Sequence, residues 1–259
     1  MMEVQNNDLV SIIMLSKNNG RNVVDSVKSV QVQTYTNWEL LFIDDSSKDE
    51  TLDYLMVQMR TDKRFKVSNM VNGSGLGANR LNVIKQANGR WLAFLDTGDV
   101  WEPTKLERQI AFMKEHDYLF SYTKYRIMDE KQNVEYEMSG PAVLTNEEMR
   151  KCYWAGCLTI MCEASLIHPE RINVLNVNND YALWLKVSEE ANCYLLDECL
   201  ASNWTERSFI KRLPLANKLK WRYEVYRHVE RNNAIMATIL SLQNMYYSIA
   251  KQIKYKKRL

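Results

Sequence analysis

Carboxylates stand in pairs at the ends of two apolar runs, and that placement suggests metal and nucleotide chemistry. In WLAFLDTGDVWEPTKL, residues 91–106, an apolar run leads directly into Asp96, and Asp99 follows within the same turn. In WELLFIDD, residues 38–45, a second such run ends in Asp44 and Asp45. Short continuous apolar runs read as buried parallel strands, and open α/β sheets bind ligands beyond the carboxyl ends of their strands. Mg²⁺ and Mn²⁺ favour one or two carboxylates plus the phosphates of a substrate. The Asp96/Asp99 pair therefore suits a metal-bound diphosphate, and Asp45 suits hydrogen bonds from a base or ribose. A single acidic strand end is equally well a solvated turn. Two of them, flanking the glycine-rich stretch Asn72-Gly73-Ser74-Gly75-Leu76-Gly77, point to a nucleotide site.

The elements that must hold these acids follow from periodicity. Leu9–Leu15, Trp38–Ile43, Phe65–Val71 and Trp91–Leu95 read as strands, and the segments after them read as helices. Val23, Val27 and Val30 form the core stripe of the first helix, and Leu52, Leu55 and Met59 that of the second. Ser47-Lys48-Asp49-Glu50 fits a capping box that would open the second helix and leave Asp45 free. Four strand–helix alternations within about 100 residues mean βαβ units, a parallel sheet and right-handed crossovers. The two acid-tipped strands are expected side by side. Pro103 is placed in the first turn of a helix that carries Leu106, Ile110 and Met113.

The second half changes character. Tyr118–Met128 and Val134–Met138 suggest an antiparallel hairpin, and Thr145-Asn146-Glu147-Glu148 another capping box. Cys157–Cys162 and Tyr194–Leu200 are strand candidates, and a helix begins at Asp180 behind Asn178-Asn179. From about Leu215 the pattern is helical, closing on Lys251, Lys254, Lys256, Lys257 and Arg258.

Composition sets outer bounds. A chain of 259 residues, 46% hydrophobic, can bury a full core, and its net charge of +2 does not select nucleic acid as a partner. No apolar run reaches the roughly 20 residues of a membrane span. The start, MMEVQNNDLV, lacks the features of a secretory leader. The five cysteines lack CxxC spacing and read as small buried hydrophobes of a reducing compartment. A cytoplasmic location is expected. His116, His168 and His228 do not cluster. Gly73, Gly75 and Ala78 spell G-x-G-x-x-A before a helix, which raises a nicotinamide-dependent oxidoreductase as an alternative. That fingerprint belongs on the first βα turn of a domain, whereas two βα units precede it here.

Taken together, VSIIM with Asn18, QTYTNWELLFIDDSSKDET, ANGRWLAFLDTGDVWEPTKLERQ, CLTIM and DYALWLK resemble, in order and spacing, a family 2 glycosyltransferase. The likeness is to the bacterial transferases of capsule and teichuronic-acid-type polysaccharides. It implies a GT-A fold: a Rossmann-like, mixed but mostly parallel sheet flanked by helices. A transferase domain over residues 1–212 is expected, with a nucleotide half at about 9–115, an acceptor half at about 116–212 and a helical extension over 213–259. The resemblance also implies a nucleotide-sugar donor, inverting transfer to a saccharide or lipid-linked saccharide, and Mn²⁺ or Mg²⁺. Position by position, it places Asn18, Asp45, Arg80 and Asp96 on the nucleotide, Asp99 on the metal and Asp180 as general base. A base on the acceptor side is what an inverting displacement through an oxocarbenium-like state requires. Trp184, one turn after Asp180, is expected to wall the acceptor pocket.

The sequence departs from the family pattern at Leu15, Lys17, Gly98 and Asn179, and Lys211 or Arg212 would have to supply the phosphate clamp. Those departures motivate a second alternative, a sugar-nucleotide-binding homologue without turnover. The basic carboxyl-terminal helix would rest on anionic membrane, each Lys or Arg near such a surface contributing on the order of 1 kcal/mol. A solvated tail is the competing reading of that charge run.

Overall fold

The central strand β1 (Val10–Ser16) is buried along its whole length. In the computed structural model, which describes residues 8–16, 20, 22–44, 47–69, 76–129, 133–171, 179–204 and 214–259, the sheet is laid out around it. β2 (Trp38–Asp44) pairs with β1 in parallel on one side, with β3 (Phe65–Asn69) beyond it, and β4 (Trp91–Phe94) pairs in parallel on the other side. Side chains alternate across β1. Ile12 and Met14 join one core cluster with Val23, Val27 and Val30 of α1 (Asn22–Gln31) and with Leu55 of α2 (Thr51–Thr61). Ile13 and Leu15 join a second cluster with Leu81 and Ile84 of α3 (Leu76–Ile84). With helices on both faces the strands have no polar side to present, hence their continuous apolar runs. Val23, Val27 and Val30 of α1 are fully buried, each contributing about 1.5 kcal/mol or more by transfer from water.

Beyond β4 the sheet turns mixed. β5 (Val100–Trp101) precedes α4 (Lys105–Glu115), which buries Leu106, Ile110 and Met113. β6 (Phe120–Met128) and β7 (Val134–Met138) form the expected hairpin. β8 (Val143–Leu144) leads to α5 (Asn146–Lys151), where the Thr145 hydroxyl accepts from the Glu148 N–H at 3.2 Å, closing the predicted cap. β9 (Met161–Glu163) runs antiparallel to β4 and β6 and joins the two halves of the sheet. After α6 (Asn179–Val187), β10 (Cys193–Trp204) lies parallel to β6 and also pairs with β5 and β8.

Four local expectations are corrected. The acid-tipped strands β2 and β4 are not neighbours, because β1 lies between them. The box at Ser47–Glu50 does not form: α2 starts at Thr51 without a side-chain cap from Glu50, and the Ser47 N–H donates instead to the Asp44 carboxylate at 2.8 Å. Pro103 precedes α4 rather than sitting in it. Cys157–Thr159 forms a turn of 3-10 helix, and the strand starts only at Met161.

α7 (Leu215–Glu224) continues through a π-helical turn at Val225–Val229, and α8 (Ala234–Tyr255) follows. The last short strand, β11 (Lys256–Arg258), pairs with β7. α8 is fastened to the body through polar groups. The Asn244 amide donates to the hydroxyls of Tyr181 and Tyr226, both at 2.9 Å, and its oxygen accepts from Arg222 at 2.7 Å. Lys251, expected at a membrane, is buried and donates to the Tyr153 and Trp154 carbonyls at 3.0 and 2.6 Å. Among the described residues, no helix is long and apolar enough to cross a membrane.

Candidate active site

A buried guanidinium ties together acids from two separate elements. Arg80, in the middle of α3, is 5% exposed. Its Nη2 donates to Asp96 Oδ1 at 2.8 Å just beyond the carboxyl end of β4, and its Nη1 pairs with Asp180 Oδ1 in the first turn of α6. Cys157, opening the 3-10 turn, places its Sγ 3.7 Å from Nη1. Burying a guanidinium is costly unless charged partners compensate it, and here two carboxylates do. Both acids keep a wet side, with side chains 41% and 30% exposed. Asp180 also lies at a helix N-terminus, whose dipole favours its charged form.

Asp99 sits on the turn that follows. Gly98 takes φ 101°, a conformation that side chains avoid, and its N–H donates to Ser26 Oγ at 2.8 Å. The same Ser26 hydroxyl donates to the Asp99 carbonyl at 2.7 Å, so α1 clamps the turn from below. Gly98, where the sequence departs from the family pattern, is thus a position where the backbone of this chain itself calls for glycine. Burial, reinforced by the Asp99 carboxylate, pushes the Tyr125 phenol up.

Ligand atoms of Asp96, Cys157 and Asp180 lie within 4.8 Å of one another, a separation compatible with shared metal binding. Asp99 does not join that group. The donor chemistry divides the three. Burial pushes the Cys157 thiol up to about 12, against the pull of Arg80, so at neutral pH it is a thiol and a poor ligand for a hard cation. The carboxylates are the right oxygen donors for Mg²⁺ or Mn²⁺, and the single charge of Arg80 offsets only one of the two.

Of the residues singled out in the sequence, Arg80, Asp96 and Asp180 meet directly, and Asp99 lies on the same turn as Asp96. Asn18 and Asp45 fall outside the described residues, as do Lys17, Gly73, Gly75, Lys211 and Arg212. Trp184 is a correction: among the described residues it is fully buried against Phe94, with ring centroids 4.8 Å apart, and against Phe120, so it packs in the core. Two residues near the site escape sequence reasoning. Cys157 carries no signal beyond its place in CLTIM. Lys105 sits in the quoted WEPTKLE run, yet its amine is fully buried 3.9 Å over the Trp101 ring, without a hydrogen-bond partner among the described residues.

Residues 11–167 match the family described as Glycosyl transferase family 2. The chain is 31% identical over 250 residues to TuaG of Bacillus subtilis, a glycosyltransferase named for teichuronic acid biosynthesis, covering 95% of this chain and 98% of that one. It is 35% identical over 184 residues to the Escherichia coli UDP-Glc:alpha-D-GlcNAc-diphosphoundecaprenol beta-1,3-glucosyltransferase WfgD, covering 71% of each. The chain belongs to glycosyl transferase family 2. Its fold is similar to that of S. aureus TarS 1–349 in complex with UDP-GlcNAc, with a TM-score of 0.72 at 19% identity over 93% of this chain and 72% of that one. The architecture is accordingly the GT-A fold, and the family leaves the nicotinamide alternative without support.

Proposed function

We propose that the chain is an inverting, divalent-metal-dependent transferase of surface polysaccharide synthesis. It moves a sugar from a nucleotide-sugar donor to a hydroxyl of a saccharide, in the cytoplasm. UDP is the favoured nucleotide and a lipid-linked saccharide the favoured acceptor, by likeness to the TarS complex and to WfgD. The observation that carries the reading is the meeting of Asp96 and Asp180 on Arg80 at the carboxyl end of the parallel strands.

In this reading Asp45 and Asn18 hold the base and Asp96 the ribose, with Arg80 fixing the Asp96 carboxylate. Asp99, with Asp96 beside it, would hold Mn²⁺ or Mg²⁺, which as a Lewis acid offsets the charge of the leaving diphosphate. Asp180 is the general base. One of its oxygens is committed to Arg80, which keeps the group ionised and aimed, and the other takes the proton of the attacking hydroxyl. Attack from the Asp180 side, opposite the diphosphate, inverts the anomeric centre.

The test is transfer from UDP-glucose and UDP-GlcNAc to a polyprenyl-diphosphate-linked sugar, with Mn²⁺, Mg²⁺ or EDTA, the product anomer being assigned by NMR. Asp180→Asn is expected to lower kcat by about 10² to 10⁴, the usual range for a general base, while UDP binding persists. A variant that turns over at the parental rate, or a product of retained configuration, refutes the assignment. Donor binding without turnover at any metal concentration would favour the non-catalytic homologue that Leu15, Lys17, Gly98 and Asn179 suggest.

A further inference from the structure

α8 is amphipathic in the wrong sense for a helix that only packs on its own domain. Its inward face buries Ser241, Asn244 and Lys251 along with Ala237. Its outward face presents Ile235, Ile239, Leu242, Tyr246, Ile249 and Ile253, from 48% exposed at Leu242 to 80% at Ile253. Alternating steps of four and three put these six on one stripe of the helix, about 27 Å long at 1.5 Å per residue. Residues 232–250 contain no Asp, Glu, Lys or Arg. A contiguous apolar surface of this kind marks an interaction site.

Charge identifies the partner. Residues 214–259 carry ten Lys and Arg against two acidic residues, although the whole chain is only +2, so the remainder is net acidic. Exposed Arg231 stands at one end of the stripe, and exposed Lys254, Lys257 and Arg258 at the other. An apolar stripe bracketed by cations, on a helix that does not qualify as a membrane span, matches a helix lying in the plane of an anionic interface. A second copy of the chain fits less well. Two such surfaces would bring like charges together, and the positions beside the stripe (Met236, Thr238, Gln243, Met245, Ala250 and Gln252) lack the charges that set partner and register in coiled coils.

We propose that the outward face of α8 docks this enzyme on an anionic lipid bilayer, the apolar stripe entering the headgroup boundary and the flanking cations meeting lipid phosphates. The proposal extends the lipid-linked acceptor reading above. Its test uses no donor or acceptor, so its failure and the failure of that reading are separable.

The experiment is flotation of the full chain with phosphatidylglycerol vesicles and with phosphatidylcholine vesicles at low and high salt, with the oligomeric state read by light scattering. Binding to phosphatidylglycerol is expected, at least tenfold stronger than to phosphatidylcholine and weakened by salt. Ile239→Glu with Ile249→Glu, both at exposed positions, should cut the partition coefficient at least tenfold while circular dichroism and UDP binding stay unchanged. Lys254→Gln, Lys257→Gln and Arg258→Gln should each cost about fivefold, the effect of about 1 kcal/mol per basic residue near an anionic surface. No vesicle binding by the parent chain overturns the proposal. So does undiminished binding by the double glutamate variant, or a stable dimer that this variant splits.

Discussion

Replacing Arg80 by Met removes the one buried cation between two carboxylates and fills the space with a side chain of comparable length. The guanidinium makes a charge-assisted bond to Asp96 at 2.8 Å and an ion pair to Asp180. Each such bond contributes about 1.5–3 kcal/mol when buried, and the partial exposure of both acids discounts the pair to roughly 2–3 kcal/mol in all. The variant also leaves two carboxylates whose oxygens approach within 4.8 Å. At an effective dielectric near 20 they repel by about 3 kcal/mol, a repulsion that protonating one of them would relieve. Arg80→Met should therefore lose roughly 2–3 kcal/mol of unfolding free energy at pH 8, and the deficit should narrow at pH 5 as one acid takes up a proton. Mn²⁺ should stabilise the variant more than the parent, since the vacated cation place now favours metal. Urea denaturation at the two pH values, with and without Mn²⁺, reads all three effects. A deficit below about 0.5 kcal/mol, or one independent of pH, would mean that Arg80 does not neutralise these acids.

The other predictions are simpler. Burial lowers the Lys105 amine to about 7, so from about pH 7 to 10.5 the unfolded chain holds a proton that the native chain lacks, and stability from this group rises with pH across that window. Lys105→Met should stabilise on the order of 2 kcal/mol at pH 7 and less at pH 9, measured by denaturation at both. Gly89→Ala would bring its Cβ within 2.6 Å of the Leu9 carbonyl oxygen and the Ser11 nitrogen, both backbone atoms of or beside β1. It should cost about 1–3 kcal/mol or more as an overpacked site, visible as a lower urea midpoint. Asn244→Ala removes one hydrogen bond each from the Tyr181 hydroxyl, the Tyr226 hydroxyl and Arg222. A loss of about 2–4 kcal/mol is expected from such unmade buried hydrogen bonds, and UDP-sugar turnover should fall with it.

What the sequence made legible was whatever rests on periodicity and local spacing. The buried strands at Val10–Ser16, Trp38–Asp44 and Trp91–Phe94 are plain because burial on two faces leaves no solvent-facing positions and a mainly apolar run. The Thr145 cap was readable because it depends on residues three apart. Strand order was not: adjacency of β2 and β4 is decided by crossovers, and β1 takes the place between them. The capping box at Ser47 failed because the Asp44 carboxylate competes for the same N–H. Trp184 misled because one turn past Asp180 looks like a pocket position, whereas helix rotation turns the indole onto Phe94. Arg80 came from family resemblance alone, and nothing in its local pattern announces a side chain spanning Asp96 and Asp180, sixteen and one hundred residues away in the chain. The outward stripe of α8 was hidden for a related reason. Periodicity finds an apolar face but does not say which way it points.

The tyrosine that follows the proposed base ties the first turn of α6 to the carboxyl-terminal helices. Tyr181 hands its hydroxyl to the carbonyls of Met149 and Arg150, at 2.9 and 3.1 Å, and receives the Asn244 amide from α8. Clipping the chain in α8 at or before Asn244 would thus take away a partner of the neighbour of Asp180 as well as shorten a tail. Any attempt to obtain a trimmed core enzyme by cutting there is set to deliver a crippled one, and surface substitutions on the intact chain are the cleaner tool.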